Sequence, residues 1–362
     1  MRIAFDVTPL LGHPTGVGAF ALGALDALVD LDDLDVAPYA LTWRGRSALP
    51  ALLPSGLTVS RWPMAARPLR AAWTRADLPP IEWWTGRVDV VHGTNFVVPP
   101  ARRAGEVVTV HDLTAVRFPE LCSADTLAYP SLIRRALGRG AIVHTPSAFV
   151  ASEVIEHFGV EPGRVRAVHH GIPPIAPSTS PSPAGPGPYI LAIGTIEPRK
   201  AFPDLVAAFD RVADSDRDLR LVVAGGDGWG VEAFDAAVAR AAHGARILRL
   251  GYVSGDQHAA LLGGAEVFAY PSVYEGFGFP PLEAMTCGVP VVATAAGALP
   301  EVVGDAALLV APGDVDALAA ALLEARRDDV RATLVERGRQ RVSRYSWRRC
   351  AEGLASIYRD AA

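Results

Sequence analysis

The chain has 362 residues, half of them apolar and a fifth charged, with a formal charge of −5. That length implies two domains, because a single core stops growing at roughly 250–300 residues. The apolar fraction excludes disorder, and the small negative charge offers no global field for nucleic acid. Within the 34 basic residues, 33 are arginine and one is lysine, Lys200. Base composition accounts for the arginines and leaves the single ammonium as the position to follow.

Met1-Arg2 leads directly into a first strand over 2–7, with no apolar stretch of signal-peptide length before it. Further strands are expected at 88–92, 106–111, 141–146 and 164–169. Each is rich in β-branched residues and apolar on both faces, as buried parallel strands are. Residues 173–188 contain seven prolines and read as an extended, stiff linker. Beyond it, strands at 189–194, 220–225, 245–251, 267–271 and 289–294 alternate with helices at 205–214, 231–242, 257–265 and 316–327. A last helix covers Trp347 to Tyr358. The fold class is therefore α/β: two doubly wound parallel-sheet domains, 1–172 and 189–345, facing one another across a deep cleft, with 346–362 following. Cys122, Cys287 and Cys350 are isolated, which points away from a disulfide framework or a zinc site and toward a reducing cytoplasm. No apolar run reaches the roughly 18 residues of a spanning helix.

In such sheets ligands bind beyond the carboxyl ends of the strands. Thr15-Gly16-Val17-Gly18 follows the first strand and opens a helix, where small residues and helix-start amides suit an anion. Taken alone, a tight turn explains these glycines better, since Ala21 breaks the dinucleotide pattern. His92 and His111 end two other strands. A histidine bonded to backbone is the ordinary explanation of each, and function is favoured for His111 because Asp112 follows it.

In the second half, Gly194-Thr195-Ile196-Glu197-Pro198-Arg199-Lys200 puts a guanidinium and an ammonium just past a strand end, a combination suited to a diphosphate. A solvated turn is the alternative. The densest signal is Pro271 to Met285. Glu275 lies in a Gly/aromatic loop, and Glu283 lies eight residues on, in a helix starting near Pro280 or Pro281. Amides at 277–279 make a second anion site there. Two carboxylates could serve glycoside hydrolysis. One on a loop and one inside a helix fit the binding of hydroxyls better.

The segment from Gly251-Tyr252-Val253-Ser254 to Ala265, then YPSVYEGFGFPPLEAMTCGVPVVAT, then Gly297-Ala298-Leu299-Pro300-Glu301-Val302, resembles the group-1 (family 4) retaining glycosyltransferases of GT-B fold, with two Rossmann-like domains. The E-x7-E element, the GTIEPRK turn, the TGVG loop and the HDL strand end occur in the family's order. The likeness covers nearly the whole chain and is closest to bacterial polysaccharide and O-antigen mannosyltransferases. It implies a nucleotide-sugar co-substrate, GDP-mannose first and a UDP-sugar second, with no other cofactor and no metal.

By the same resemblance, Arg199 and Lys200 would hold the donor diphosphate. Glu275, with the amides of Phe277, Gly278 and Phe279, would contact the donor sugar, and Glu283 would accept from the ribose hydroxyls. Gly16 and Gly18 would approach the phosphates, His111 the sugar and Val253 the nucleobase, while the last helix would return to the first domain. The acceptor would be a glycan or lipid-linked hydroxyl. Ala201 departs from the family, which commonly has Asn there.

Two other classes compete. A nicotinamide dehydrogenase would use Gly226-x-Gly228-x-Gly230, but no acidic residue follows at ribose distance. A non-catalytic nucleotide-sugar binder, or an epimerase of like architecture, would need no acceptor. Residues 61–84 gather Trp62, Trp73, Trp83 and Trp84 with Arg61, Arg67, Arg70 and Arg75. These suit a peripheral contact with an anionic membrane on its cytoplasmic face. Tryptophans packed inside the domain, under arginines on its wet face, are the favoured alternative.

Overall fold

The structure is a computed structural model describing residues 1–12, 15–60 and 62–362. It contains two compact units, Met1–Gly171 with Tyr345–Ala362, and Ile172–Arg344.

The first unit is built on β1 (Arg2–Asp6), β2 (Asp35–Tyr39), β3 (Val90–Gly93), β4 (Gly105–Thr109), β5 (Ile142–Thr145) and β6 (Val165–Ala167), in the order β2-β1-β3-β4-β5-β6. The second uses β7 (Tyr189–Ile193), β8 (Arg220–Ala224), β9 (Ile247–Gly251), β10 (Val267–Tyr270), β11 (Val291–Thr294) and β12 (Ala307–Val310), in the order β12-β11-β10-β7-β8-β9. Every pairing in both sheets is parallel. Each chain half starts in mid-sheet, runs to one edge, and returns to fill the other side. The order therefore reverses between β1 and β3 and between β7 and β10, which is where an open α/β sheet leaves a crevice.

Two strands were not expected. Both β2 and β12 are edges. Pro38 lies inside β2, tolerated because an edge strand has one side without ladder bonds. The Ala-Leu-Leu-Val run of β12 carries no β-specific signature. A helix at Asp328–Val342 was also not anticipated. It follows the expected helix, observed at Val315–Ala325, after a short break.

The cores follow from the apolar patterning. The helix Phe202–Ala213 buries Phe202, Leu205, Val206, Phe209 and Val212, which meet Leu221 and Val223 of β8. Full burial of each such side chain contributes about 1.5–3 kcal/mol. The last helix, Trp347–Ala361, buries Cys350, Ala351, Leu354, Ile357 and Tyr358. It joins the core of the first unit formed by Ile3, Phe5, Phe20 and Leu25. The end of the proline-rich segment is laid on the second unit, where the Arg220 guanidinium donates to the carbonyls of Ala184, Pro186 and Gly187. Among the described residues, no helix is long and apolar enough to cross a membrane.

Candidate functional site

The β7/β10 junction brings the lone lysine to a carboxylate. Beyond β7 the chain turns through Gly194 to Glu197 and then makes a short 3-10 turn, Pro198–Lys200. Beyond β10, Val273 N donates to the Arg199 carbonyl at 2.9 Å, tying the two loops together. Lys200 Nζ donates to Glu275 Oε1 at 2.6 Å and to Tyr270 Oη at 2.8 Å, and lies 4.7 Å from the centre of the Tyr270 ring. Arg199 Nη1 lies 2.8 Å from the same carboxylate oxygen and donates to the Tyr274 carbonyl at 2.6 Å. Its Nη2 meets Glu197 at 2.5 Å.

Lys200 and Glu275 are both buried. Burial pushes the Lys200 ammonium below its ordinary value; Glu275 opposes that and Arg199 adds to it. For Glu275, burial favours the neutral acid, but Lys200 and then Arg199 outweigh it and hold the carboxyl at about 2. The result is one carboxylate shared by two cations, a preorganised charged cluster at a strand switch point. Tyr270, and the pairing of Glu197 with Arg199, were not expected from the sequence. Tyr270 is the last residue of β10, so the strand-end rule could have found it.

Gly297 explains the Gly-Ala-Leu-Pro-Glu stretch. It has φ +58, and a β-carbon there would stand 2.4 Å from the Glu275 carbonyl oxygen. Ala298 N donates to that oxygen at 2.8 Å. A side chain at 297 would displace Glu275 from its cations. Ala201 adopts φ 48, ψ 37, the left-handed region. That conformation costs an ordinary L-residue roughly 1–2 kcal/mol, and Asn less. The departure at 201 thus bears on backbone conformation.

The next helix begins at Phe279, one residue before the expected start, with Gly278 at φ 106 as its N-cap. Pro280 and Pro281 carry no N–H, so this helix start has no backbone donor at those two positions. The Phe277 and Phe279 rings meet edge to face at 5.3 Å. Glu283 does not join the Lys200 cluster. Its Oε2 lies 3.2 Å from Nε2 of His258, on the helix Gly255–Gly264. The two carboxylates thus have different partners, unlike a hydrolytic pair facing one bond. Val253 is half-buried in the turn between β9 and that helix.

The glycines that suggested a dehydrogenase have another explanation. β-Carbons at Gly228 and Gly230 would lie 2.7 Å from the Ile196 carbonyl oxygen and 2.9 Å from the Glu197 carbonyl carbon. They let the turn after β8 nest on the loop leading to Arg199 and Lys200.

In the first unit, Thr15 caps the helix Gly16–Val29 by accepting from Gly18 N at 3.2 Å. A β-carbon at Gly18 would stand 2.9 Å from the Pro9 carbonyl oxygen. Gly18 is thus required for packing, and its amide is engaged by Thr15; Gly16, at the first helical position, is exposed. His111, two residues past β4, donates from Nε2 to the Thr94 carbonyl at 2.8 Å. This bond makes Nδ1 the acceptor of the neutral ring. Burial lowers the pKa of His111, against the raising effects of the Thr94 bond and Asp112.

A polar chain nearby was not foreseen. His92 Nδ1 meets Tyr358 Oη at 2.7 Å, and its Nε2 meets Thr109 Oγ1 at 2.8 Å. That hydroxyl meets His144 Nδ1 at 2.9 Å, and His144 Nε2 reaches the Val168 carbonyl at 3.1 Å. A carbonyl only accepts, so with neutral rings every proton in the chain is assigned. His144 donates to Val168, Thr109 to His144, His92 to Thr109 and Tyr358 to His92. His92 is thus structural, through the hydroxyls of Tyr358 and Thr109 and not through backbone, whereas the expected histidine–backbone bond is the one His111 makes to Thr94. Phe20 packs against His111, His144 and His170 at ring distances of 5.3, 5.4 and 4.3 Å.

The tryptophans divide. Trp73 is buried and Trp84 half-buried, whereas Trp62 is 69% and Trp83 62% exposed. Arg61 lies outside the described residues. Among the described residues, no three His, Cys, Asp or Glu side chains gather as metal ligands would.

Residues 14–174 match the description Glycosyltransferase Family 4, and residues 187–328 match Glycosyl transferases group 1. The O-antigen chain mannosyltransferase B of Escherichia coli is 33% identical over 309 residues, covering 81% of this chain and 77% of the relative. An MMP alpha-(1->4)-mannosyltransferase of Mycolicibacterium hassiacum is 47% identical over 116 residues, 30% of this chain and 28% of that one. Among solved structures, sucrose-phosphate synthase of Thermosynechococcus elongatus aligns with a TM-score of 0.75 at 20% identity, over 99% of this chain and 98% of that one. Anabaena HepE in complex with UDP and glucose aligns at 0.74 and 19%, over 99% and 100%. The paired parallel sheets, the motif order and these relatives agree: the chain belongs to the group 1 glycosyltransferases of family 4 and has the GT-B fold.

Proposed function

We propose that this glycosyltransferase is a retaining hexosyltransferase, independent of metal, that moves mannose from GDP-mannose to a hydroxyl of a glycan or lipid-linked acceptor. The observation that carries the reading is the Lys200–Arg199–Glu275 cluster at the β7/β10 switch point. Two similar proteins are named as mannosyltransferases, and HepE structures are described with UDP and with UDP-glucose. In the reaction the bond from the sugar's anomeric carbon to the diphosphate oxygen breaks, and a bond to the acceptor oxygen forms on the same face. The acceptor proton passes to a leaving-phosphate oxygen. Arg199 and Lys200 stabilise the charge arriving on the diphosphate, the positive charge a metal would otherwise supply. Glu275 and the amides of Phe277, Gly278 and Phe279 orient the sugar, Glu283 the ribose, Val253 the base, and Gly16 the phosphates. Neutral His111 accepts from a sugar hydroxyl through Nδ1.

A thermal-shift panel tests the donor. A ligand at a hundred times its dissociation constant stabilises by about 2.7 kcal/mol. GDP and GDP-mannose should raise the melting temperature while UDP leaves it unchanged. A shift by UDP alone transfers the assignment to a UDP-sugar, and no shift by either removes the nucleotide-sugar reading. Binding without release of nucleoside diphosphate in the presence of acceptors identifies a binder, and conversion of the sugar without acceptor an epimerase.

We propose in addition a cytoplasmic location with a peripheral contact to an anionic membrane, which the exposed tryptophans support. Trp84 Nε1 donates to the Pro63 carbonyl at 3.2 Å, and Met64 N to the Thr42 carbonyl at 3.1 Å. These bonds bring the loops of exposed Trp43, Trp62 and Trp83 together, with exposed Arg67 and Arg75 in the same stretch; Arg70 turns inward, its Nε shut off from solvent and its charge acting on buried Asp6. Vesicles of anionic lipid should float the protein at low salt and release it at high salt. No flotation at low salt removes this part of the reading.

A further inference from the structure

We propose that His258 is a positioning residue for Glu283 and through it sets how tightly the ribose of a nucleoside diphosphate is held. The inference rests on the reading of Glu283 as the ribose ligand. Nε2 of His258 is shut off from solvent, makes no hydrogen bond of good geometry among the described residues, and lies 3.2 Å from Glu283 Oε2. A carboxylate only accepts, so a proton on Nε2 makes this close approach attractive without a well-aligned hydrogen bond. The carboxylate has about four acceptor positions. The ring approaches Oε2 alone, so Oε1 is left for a pair of adjacent hydroxyls.

Both backbones at this contact are held. His258 is one residue past a capping box in which Ser254 Oγ accepts from Gln257 N at 3.4 Å and Gln257 Oε1 accepts from Ser254 N at 2.9 Å. Ala259, Leu261 and Leu262 bury the same helix. Glu283 is flanked by buried Leu282 and Ala284. What remains free is the torsion of the Glu283 side chain, and His258 restrains it. Val253 immediately precedes the capping box, so the restraint comes from the same rigid turn that carries the expected base contact. Ribose grip and base contact then act as one unit.

The test measures binding of GDP and UDP, each against its 2′,3′-dideoxy counterpart, to the full chain. His258→Leu should weaken the ribonucleotide that binds by about tenfold and its dideoxy form by less than twofold. The donor KM should rise while kcat holds, and His258→Gln, which can present an amide N–H, should restore most of the loss. In a Glu283→Gln background, His258→Leu should add nothing. Equal weakening of ribo and dideoxy forms, or no weakening, overturns the role of His258 and leaves Glu283 in place. If Glu283→Gln itself fails to distinguish the two forms, the ribose reading of Glu283 falls first. Binding of neither nucleotide overturns the proposed function and this inference with it.

Discussion

Replacing Lys200 by alanine should lower turnover by about two to four orders of magnitude, and Arg199→Ala should do nearly the same. Removing one preorganised donor from a developing anion costs about 10²–10³ in rate. Here the loss is compounded, because Glu275 stays behind as a buried charge. Lys200 supplies one of its two cationic partners and does more than Arg199 to hold its carboxyl at about 2. Breaking a buried pair from one side destabilises by roughly 3–5 kcal/mol, so the melting temperature of Lys200→Ala should fall as well. Pairing Lys200→Met with Glu275→Gln should recover much of that stability and none of the activity, which separates chemistry from folding. Lys200→Arg keeps the charge but not the fit. The pocket is closed by the Tyr270 ring and by Gly194, whose added β-carbon would already stand 3.3 Å from Lys200 Cε. Activity should therefore fall there too. The measurement is release of nucleoside diphosphate from the donor that shifts the melt. Near-normal rates in both alanine variants would sink the assignment of the basic pair.

Acid should destabilise the chain steeply between about pH 6.5 and 5. Burial pushes His92 and His170 well below the ordinary histidine value of 6.5, His144 to about 3, and His111 downward. A group with a depressed folded pKa that folds neutral gives its full stability above 6.5 and loses it as pH falls toward the folded value. Each contributes roughly 1.4 kcal/mol per pH unit once below 6.5. Asp6 opposes them: burial raises it to about 6 despite the Thr8 hydrogen bonds, so folding favours its protonated form as pH drops from 6 toward 3.8. Counting His92, His144 and His170 against Asp6, the net slope below pH 6 is that of about two groups, roughly 3 kcal/mol per pH unit. Glu275 does not enter this window, since its contribution is complete above 4.5 and fades only toward 2. Urea midpoints at pH 7.5, 6.5 and 5.5 measure the slope. His144→Gln, which can donate to Val168 and accept from Thr109 without titrating, should make it shallower by about one group. A flat profile would show that these rings are not held neutral.

Legibility of the fold tracked how local each signal is. The apolar runs of β1, β4, β7, β8 and β10 announced themselves because a parallel strand buried on both faces needs β-branched residues throughout. The edges β2 and β12 did not. One carries Pro38 and the other reads equally well as helix, since an edge has fewer neighbours to satisfy. The loop and helix around Glu275 and Glu283 were found within one residue because Gly278 and Pro280-Pro281 mark a helix start by covalent geometry. His258 gave no signal: a lone histidine on an exposed-looking helix acquires meaning only from the side chain it meets.

By itself, the sequence determined that this is a two-part α/β chain, that Lys200 stands past a strand end, and that Glu275 and Glu283 belong to a loop and a helix. Those statements depend on periodicity, proline and glycine, which act over a few residues. The tertiary structure decided which strand ends are neighbours. Because β10 pairs with β7 and not with β9, Lys200 meets a carboxylate 75 residues away. Because the last helix packs onto the first sheet's core, Tyr358 completes the hydrogen-bond chain begun by His144 on β5. Strand order is set by how whole helices and sheets bury their faces together, so no short stretch of residues carries it.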